Sequence, residues 1–404
     1  MQRTPSGVLF AKIPRPSCTS RENVIEYRQK TSREDTAMPT AVDFVVSFPA
    51  GYEPVILQVT DPQIIDASRE PPNDLYPLSP DSRIYWAADK KDDRCYTHLR
   101  EAIEATHPDF ILVTGDLVYG KFDHDGAVLQ EFIDFMEGFG VPWAPVFGNH
   151  DNESNLGVDR QCAMLEAAEH CLFKQRTLTG NGNYTVGIAQ GECMTRVFFM
   201  LDSNGCDAAS RTSIANGHTK ITIGFGQDQV DWYTEQAGLV RLAYPDAKIS
   251  FVFHIQPAAF GDAFRKYNTD GTTHVHIDRV PHAEGDFGYI GAPLKGLWDT
   301  DKTLFRGMQA LGADSIFVGH EHASSASILH EGVRLQYGAK CSTYDRANYV
   351  TPDHTVISVN RDGGIPWLGC SVFSLSPDGE IQNPHIYQCK ISDTADWDKV
   401  PPRQ

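Results

Sequence analysis

The sequence predicts an α/β protein: one large domain whose sheet strands are joined by crossover helices, with a second sheet packed on the first. Three observations lead there. Short apolar, β-branched runs alternate with helical patterns through most of the chain, as buried strands with crossover helices require. Past Val318 the pattern turns entirely β. No internal repeat or interior linker divides the 404 residues, and α/β domains with long loops reach this size as single units.

The elements follow in order. Asp43 to Phe48 and Val55 to Thr60 read as strands around the turn Pro49-Ala50-Gly51-Tyr52, suggesting a hairpin. Cys95 to Thr106 has helical periodicity, and Phe110 to Thr114 is a buried strand. Val128 to Glu137 is a helix stopped by Gly138 and Gly140. A strand at Trp143 to Phe147 and a helix at Cys162 to Phe173 come next. Thr195 to Leu201 is a strand, Asp228 to Ala243 a helix and Lys248 to Phe253 a strand. Leu304 to Leu311 is a short helix before the strand Ser315 to Val318. The β-rich tail holds Ala326 to Leu329, Val333 to Tyr337, Val356 to Val359, Cys370 to Leu375 and His385 to Lys390. Residues 66–94, 204–226 and 261–301 are long polar loops, and such loops inside a compact domain tend to line a site.

Domain boundaries follow from composition. Residues 1–40 are polar and read as a disordered N-terminal tail, with Met38 a candidate natural start. The folded domain is expected over 41–395, with a C-terminal tail at 396–404.

The chain has 35 Lys and Arg against 53 Asp and Glu, a net charge of −18. That disfavours sequence-independent nucleic-acid binding, because phosphate backbones would be repelled. No run of 18 apolar residues offers a membrane span. The nine cysteines form no CxxC pair, so reduced thiols in a cytoplasmic protein without a secretory leader are expected.

The chemistry lies at the strand ends. Asp61-Pro62-Gln63, Gly115-Asp116, Gly148-Asn149-His150-Asp151, His254 and Gly319-His320-Glu321-His322 each follow an apolar run. Five strands thus deliver Asp, Asn or His at their C-terminal edge, where open α/β sheets bind ligands. Divalent ions favour oxygen and imidazole donors, and a carboxylate can bridge two ions that clamp a phosphoryl group. Gly115, Gly148 and Gly319, each next to a candidate ligand, would let the backbone come close. His274 and His276 read as a surface loop, Asp202 as a support for a loop near the site, and Trp232 as helix packing. Arg265 and Lys266 are possible sources of positive charge near a phosphate.

These blocks resemble those of the calcineurin-like metallophosphoesterase superfamily: D-x-H, G-D, G-N-H-D/E, a lone H and G-H-x-H. Four of the five match, over about residues 43 to 392. Phe253-His254-Ile255-Gln256-Pro257 and Gln336-Tyr337-Gly338-Ala339 point to its purple acid phosphatase-like, single-domain branch. The resemblance implies a four-layer α/β/β/α sandwich of two mixed sheets flanked by helices, with a dinuclear metal site of Fe, Mn or Zn type at the C-terminal edge of the strands. It implies Asp61 and His322 at the first metal, Asp116 as bridge, and Asn149, His254 and His320 at the second. His150 would lie over the substrate phosphate and stabilise charge or protonate the leaving group, with Asp151 orienting it. A metal-bound hydroxide would be the nucleophile, and a small phosphomonoester or phosphodiester the substrate. Gln63 departs from the pattern where the family has His, leaving Gln63 or Tyr119 to complete the first metal site. Tyr119 stands where purple acid phosphatases carry a tyrosine ligand to ferric iron, and it reads equally as a strand-end aromatic. Two other readings remain: a cyclic-nucleotide phosphodiesterase, with Phe225, Phe264, Tyr267, Phe287 and Tyr289 as stacking candidates, and a metal-poor binding scaffold.

Overall fold

The computed structural model describes residues 40–65, 91–120, 123, 125–154, 156–205, 224–269, 275–291, 298–322, 324–341 and 369–388, with strand pieces at 26–27, 348–350, 356–358, 361–362 and 365–366. In chain order the first strands are β1 (Glu26–Tyr27), β2 (Phe44–Phe48), β3 (Val55–Val59), β4 (Phe110–Thr114), β5 (Trp143–Val146), β6 (Tyr184–Gln190), β7 (Cys193–Met200) and β8 (Lys248–Val252). They are followed by β9 (Val275–His276), β10 (Phe287–Ile290), β11 (Ala313–Val318), β12 (Ser325–His330) and β13 (Val333–Tyr337). The last are β14 (Asn348–Val350), β15 (Val356–Ser358), β16 (Arg361–Asp362), β17 (Ile365–Pro366), β18 (Gly369–Leu375) and β19 (Ile381–Gln388). The α-helices are α1 (Lys91–Thr106), α2 (Ala127–Glu137), α3 (Val158–Ala167), α4 (Gln227–Ala243), α5 (Ala258–Arg265) and α6 (Thr303–Ala310).

Two mixed sheets carry the fold. The larger has ten strands in the order β1-β2-β6-β7-β8-β11-β13-β12-β10-β9, and the smaller five in the order β19-β18-β3-β4-β5. β14 pairs with β15 and β16 with β17 outside them. In the smaller sheet β3, β4 and β5 run parallel, while β18 closes the other side of β3 in antiparallel fashion.

Alternation along β7 shows how the layers form. Phe198 and Met200 join a core with β3, β4, β18 and helices α1 to α3, whereas Val197 and Phe199 join a second core with α4, α5 and α6. A strand's two-residue period puts one set of side chains on each face. Between the sheets, Phe198 meets Phe110 at a ring separation of 6.0 Å and Phe317 stacks on Phe373 at 5.1 Å. The four layers are therefore helix, sheet, sheet, helix, as the resemblance implies.

Several sequence expectations need correction. The hairpin does not form. Tyr52 N–H bonds to Pro49 O and turns the chain, but β2 pairs in parallel with β6 while β3 enters the other sheet. A turn fixes direction, not partner, and distant strands claim both edges of β3. Helix α3 starts and ends earlier than Cys162 to Phe173 suggests. Strand β6 and helix α5 were not expected. β6 is buried at every residue, so it lacks polar alternation, and Gly187 and Ala189 weaken its β signature. The tail does not form the second sheet by itself: β11 to β13 complete the larger sheet, β18 and β19 the smaller. Within the expected N-terminal tail, Glu26–Tyr27 pairs with β2. The rest of 1–39, and 389–404, lie outside the described residues, as do 66–90, 206–223, 270–274 and 292–297 of the expected loops.

Candidate metal centre

Every candidate ligand stands just beyond the C-terminal end of a strand or in the turn after it: Asp61 after β3, Asp116 after β4, Asn149 after β5, His254 after β8, and His320 and His322 after β11. The first three strands belong to the smaller sheet and the last two to the larger, so the site bridges the sheets. Hydrogen bonds tie the seam. Gln58 Nε2 donates to Val318 O at 3.0 Å, and His254 Nδ1 meets Thr114 O at 2.8 Å. The His254 contact makes Nδ1 the protonated nitrogen, because a carbonyl only accepts, and turns Nε2 to Asp116 Oδ2 at 3.2 Å.

The donors converge as two overlapping groups, Asp116–His254–His320 and Asp61–Asp116–His322, with the chosen ligand atoms of each group within 4.8 Å of one another. Asp116 is common to both. His322 Nε2 lies 3.2 Å from Asp61 Oδ1. Asn149 Oδ1 is buried without a hydrogen-bond partner, which is costly for an amide oxygen unless a cation meets it. Carboxylate, imidazole and amide oxygen suit a borderline divalent ion, so these residues fit the implied metals.

The buried charges offset one another. Burial alone would raise the carboxyls of Asp61 and Asp116, but the facing imidazoles hold both far below the usual carboxylate range. Burial would lower His254, yet Asp116 and Asp61 outweigh it and push the imidazole up to about 9. Burial and the His254 charge together lower His320 to about 3.

The backbone is strained where ligands cluster. Asp61, Gln63, Asp116 and His320 have φ of +53°, +46°, +52° and +76°, a left-handed region that side-chain-bearing residues seldom occupy away from functional turns. Glycine makes the approach possible: a β-carbon on Gly148 would run into the Asp116 carboxylate, and one on Gly319 into Thr60 Oγ1.

Around these groups the structure differs from expectation in two places. Asp151 does not reach the His150 ring: its carboxylate accepts from Val118 N and Gly148 N at 2.9 and 2.7 Å. Glu153 takes the orienting position, with Oε2 at 2.9 Å from His150 Nδ1. The 3₁₀ turn Asp151–Glu153 brings residues three apart together, a spacing that could have flagged Glu153. His150 N–H also donates to Asp116 Oδ1 at 2.8 Å. Gln63 does turn to the site, but its Nε2 donates to Asp116 Oδ2 at 3.2 Å while its Oε1 accepts from Lys340 Nζ at 2.6 Å. Lys340 is 1% exposed, and no sequence pattern marks it. The Tyr119 ring stacks on His150 at 3.9 Å.

Other expectations are placed as follows. Asp202 accepts from Asn181 N and Asn204 N and is pushed up to about 6 by burial, so it does hold a loop. Trp232 packs on Phe199. Arg265 and Lys266 pair with Asp262 and Asp286. His276 lies against Tyr289, and His274 is outside the described residues. Phe225 and Phe264 pack into the core beside α4 to α6, and Tyr267 O–H donates to Asp286. Among the described cysteines, 162, 171, 193 and 341 are free thiols, and no described helix is long and apolar enough to cross a membrane.

A two-sheet sandwich with overlapping Asp and His clusters at the shared strand edge defines a class of metal-centred α/β/β/α proteins. The family model for calcineurin-like phosphoesterases matches residues 54–324, and the chain belongs to that family. It is 42% identical over 122 residues to a probable inactive purple acid phosphatase 28 of Arabidopsis thaliana, covering 27% of this chain and 30% of that one. It is 24% identical over 249 residues to phosphatase DCR2 of Saccharomyces cerevisiae, covering 58% of this chain and 39% of that one. The chain thus spans about a third of the length of the curated relatives it matches. A solved dimetal phosphatase from Danio rerio is similar with a TM-score of 0.44 at 11% identity, over 85% of this chain and 100% of that one.

Proposed function

We propose that the chain is a metal-dependent phosphoesterase that hydrolyses a phosphomonoester or phosphodiester. The observation that carries this reading is the pair of ligand groups sharing Asp116 beside the partly buried His150. Asp61, Asp116, Asn149, His254, His320 and His322 would hold the metal. Bound divalent ions supply Lewis acidity toward phosphoryl oxygens and activation of water near neutral pH.

The chain's own groups do the rest. Asp116 Oδ1 fixes the His150 main chain, and Glu153 fixes the ring through Nδ1. Nε2 is then the nitrogen through which His150 would donate a proton to the leaving oxygen. Tyr119, stacked on the imidazole, limits its rotation. The test is turnover of an aryl phosphate mono- and diester by the purified chain with Mn²⁺. Wild type should turn over and Asp116→Asn should fall to background. Equal rates for both would sink the reading.

A second reading, the metal-poor scaffold, is favoured by one observation: the Gln63 oxygen is engaged by Lys340. It predicts neither turnover nor metal uptake. Of the five stacking candidates for a cyclic-nucleotide phosphodiesterase, Phe225 and Phe264 pack against the core beside α4 to α6.

A further inference from the structure

The Gln63–Lys340 pair bears on how the centre fills. A side-chain amide offers one oxygen acceptor and one nitrogen donor. Its orientation is forced here, because the reverse placement would set an N–H₂ group against an ammonium and a carbonyl oxygen against the Asp116 carboxylate. Gln63 therefore presents an N–H to Asp116 Oδ2, not a lone pair to a cation. The Asp61–Asp116–His322 group gains no donor from Gln63, and the Asp116 oxygen that Gln63 caps is the one that also faces His254 Nε2 at 3.2 Å.

Lys340 adds a fixed positive charge. Its Nζ also donates to the main-chain oxygen of Asp61 at 3.2 Å. The residue is pinned by the bridge between Thr60 and Lys340, by Cys341 N–H on Thr60 O and by Gly369 N–H on Lys340 O. A buried cation held beside Asp61 repels a second cation at the same carboxylates. Among the described residues no lysine or arginine hydrogen-bonds His254, His320 or Asn149: Asp116, His254 and His320 face one another, with Asn149 Oδ1 unpartnered.

We propose that the centre is graded. One divalent ion binds tightly at Asp116, His254, His320 and Asn149. The Lys340 ammonium, held against Asp61, stands in for part of the charge of the ion at Asp61 and His322, so that position binds at least about 10–100-fold more weakly, the size of effect that outer-shell partners exert on metal sites. This rests on the metal-centre reading above and adds an order of filling to it.

Equilibrium dialysis of the full chain against Mn²⁺, with electron paramagnetic resonance to detect coupled ion pairs, tests it. Wild type should take up one tight ion and show a coupled pair only at much higher Mn²⁺. Lys340→Met should tighten the second ion, and Gln63→Glu, which neutralises Lys340 and supplies a carboxylate, should do the same. If thermal melting shows that Lys340→Met is unfolded, Gln63→Glu alone decides. Two ions of equal affinity in wild type, or no tightening in the folded variants, would overturn the graded centre and leave the phosphoesterase reading intact. No Mn²⁺ uptake at all would overturn both.

Discussion

Asp151 and Glu153 stand two residues apart, and their substitutions should part company. Glu153 holds the His150 ring, so Glu153→Gln should lower kcat about 10–100-fold with bound metal unchanged by elemental analysis. Asp151 satisfies two buried N–H groups, so Asp151→Ala should cost about 1–3 kcal/mol of stability in urea unfolding. The reverse pattern would reassign the pair. At this scale the sequence shows the candidate ligands: Asp61, Asp116, Asn149, His254, His320 and His322 all follow apolar runs, and the structure brings them to one edge. It hides what those groups lean on. Lys340 is one lysine among many until the chain after β13 folds back along Thr60, and the positive φ of Asp61 and Asp116 is a property of the turn, not of the residue type.

Apolar runs bounded by glycine, proline and polar residues made most elements legible, including α2, whose end at Gly138 follows from its composition. Pairing was not legible. β2 and β3 are near neighbours in sequence, yet each takes partners from far along the chain, and residue type does not encode the choice. One such junction is electrostatic. Asp43, at the start of β2, accepts from Arg176 at 2.6 and 2.7 Å, from Lys174, and from Thr185 N at the start of β6. Burial would raise its carboxyl, but Arg176 and Lys174 hold it below 3.8. A depressed folded value means the contribution to stability is present above 3.8 and lost as pH falls through the folded value. Unfolding at pH 6 should therefore show Asp43→Asn clearly less stable than wild type, with the gap closing as pH falls through the depressed Asp43 value. A gap independent of pH would show that the hydrogen bonds to Thr185, not the charge, matter.

For the whole molecule, the sandwich follows from strands that carry apolar residues on both faces, and the site follows from placing two strand edges together. Because the donors come from both sheets, metal should stabilise the entire fold. Mn²⁺ at 100 times its dissociation constant should add about 2.7 kcal/mol, seen as a raised Tm, and Asp116→Asn should abolish the increment. An unchanged wild-type Tm in saturating Mn²⁺ would contradict this. The topology of the smaller sheet also bears on how the protein comes off the ribosome. β3 delivers Asp61 early in synthesis, but the strand that covers its second edge, β18, emerges more than three hundred residues later. Until then a buried strand, apolar but for Gln58, presents unpaired N–H and C=O groups on one edge, the template on which chains join edge to edge. A chain cut before Gly369 should therefore aggregate more readily on refolding than the full chain, as light scattering would show.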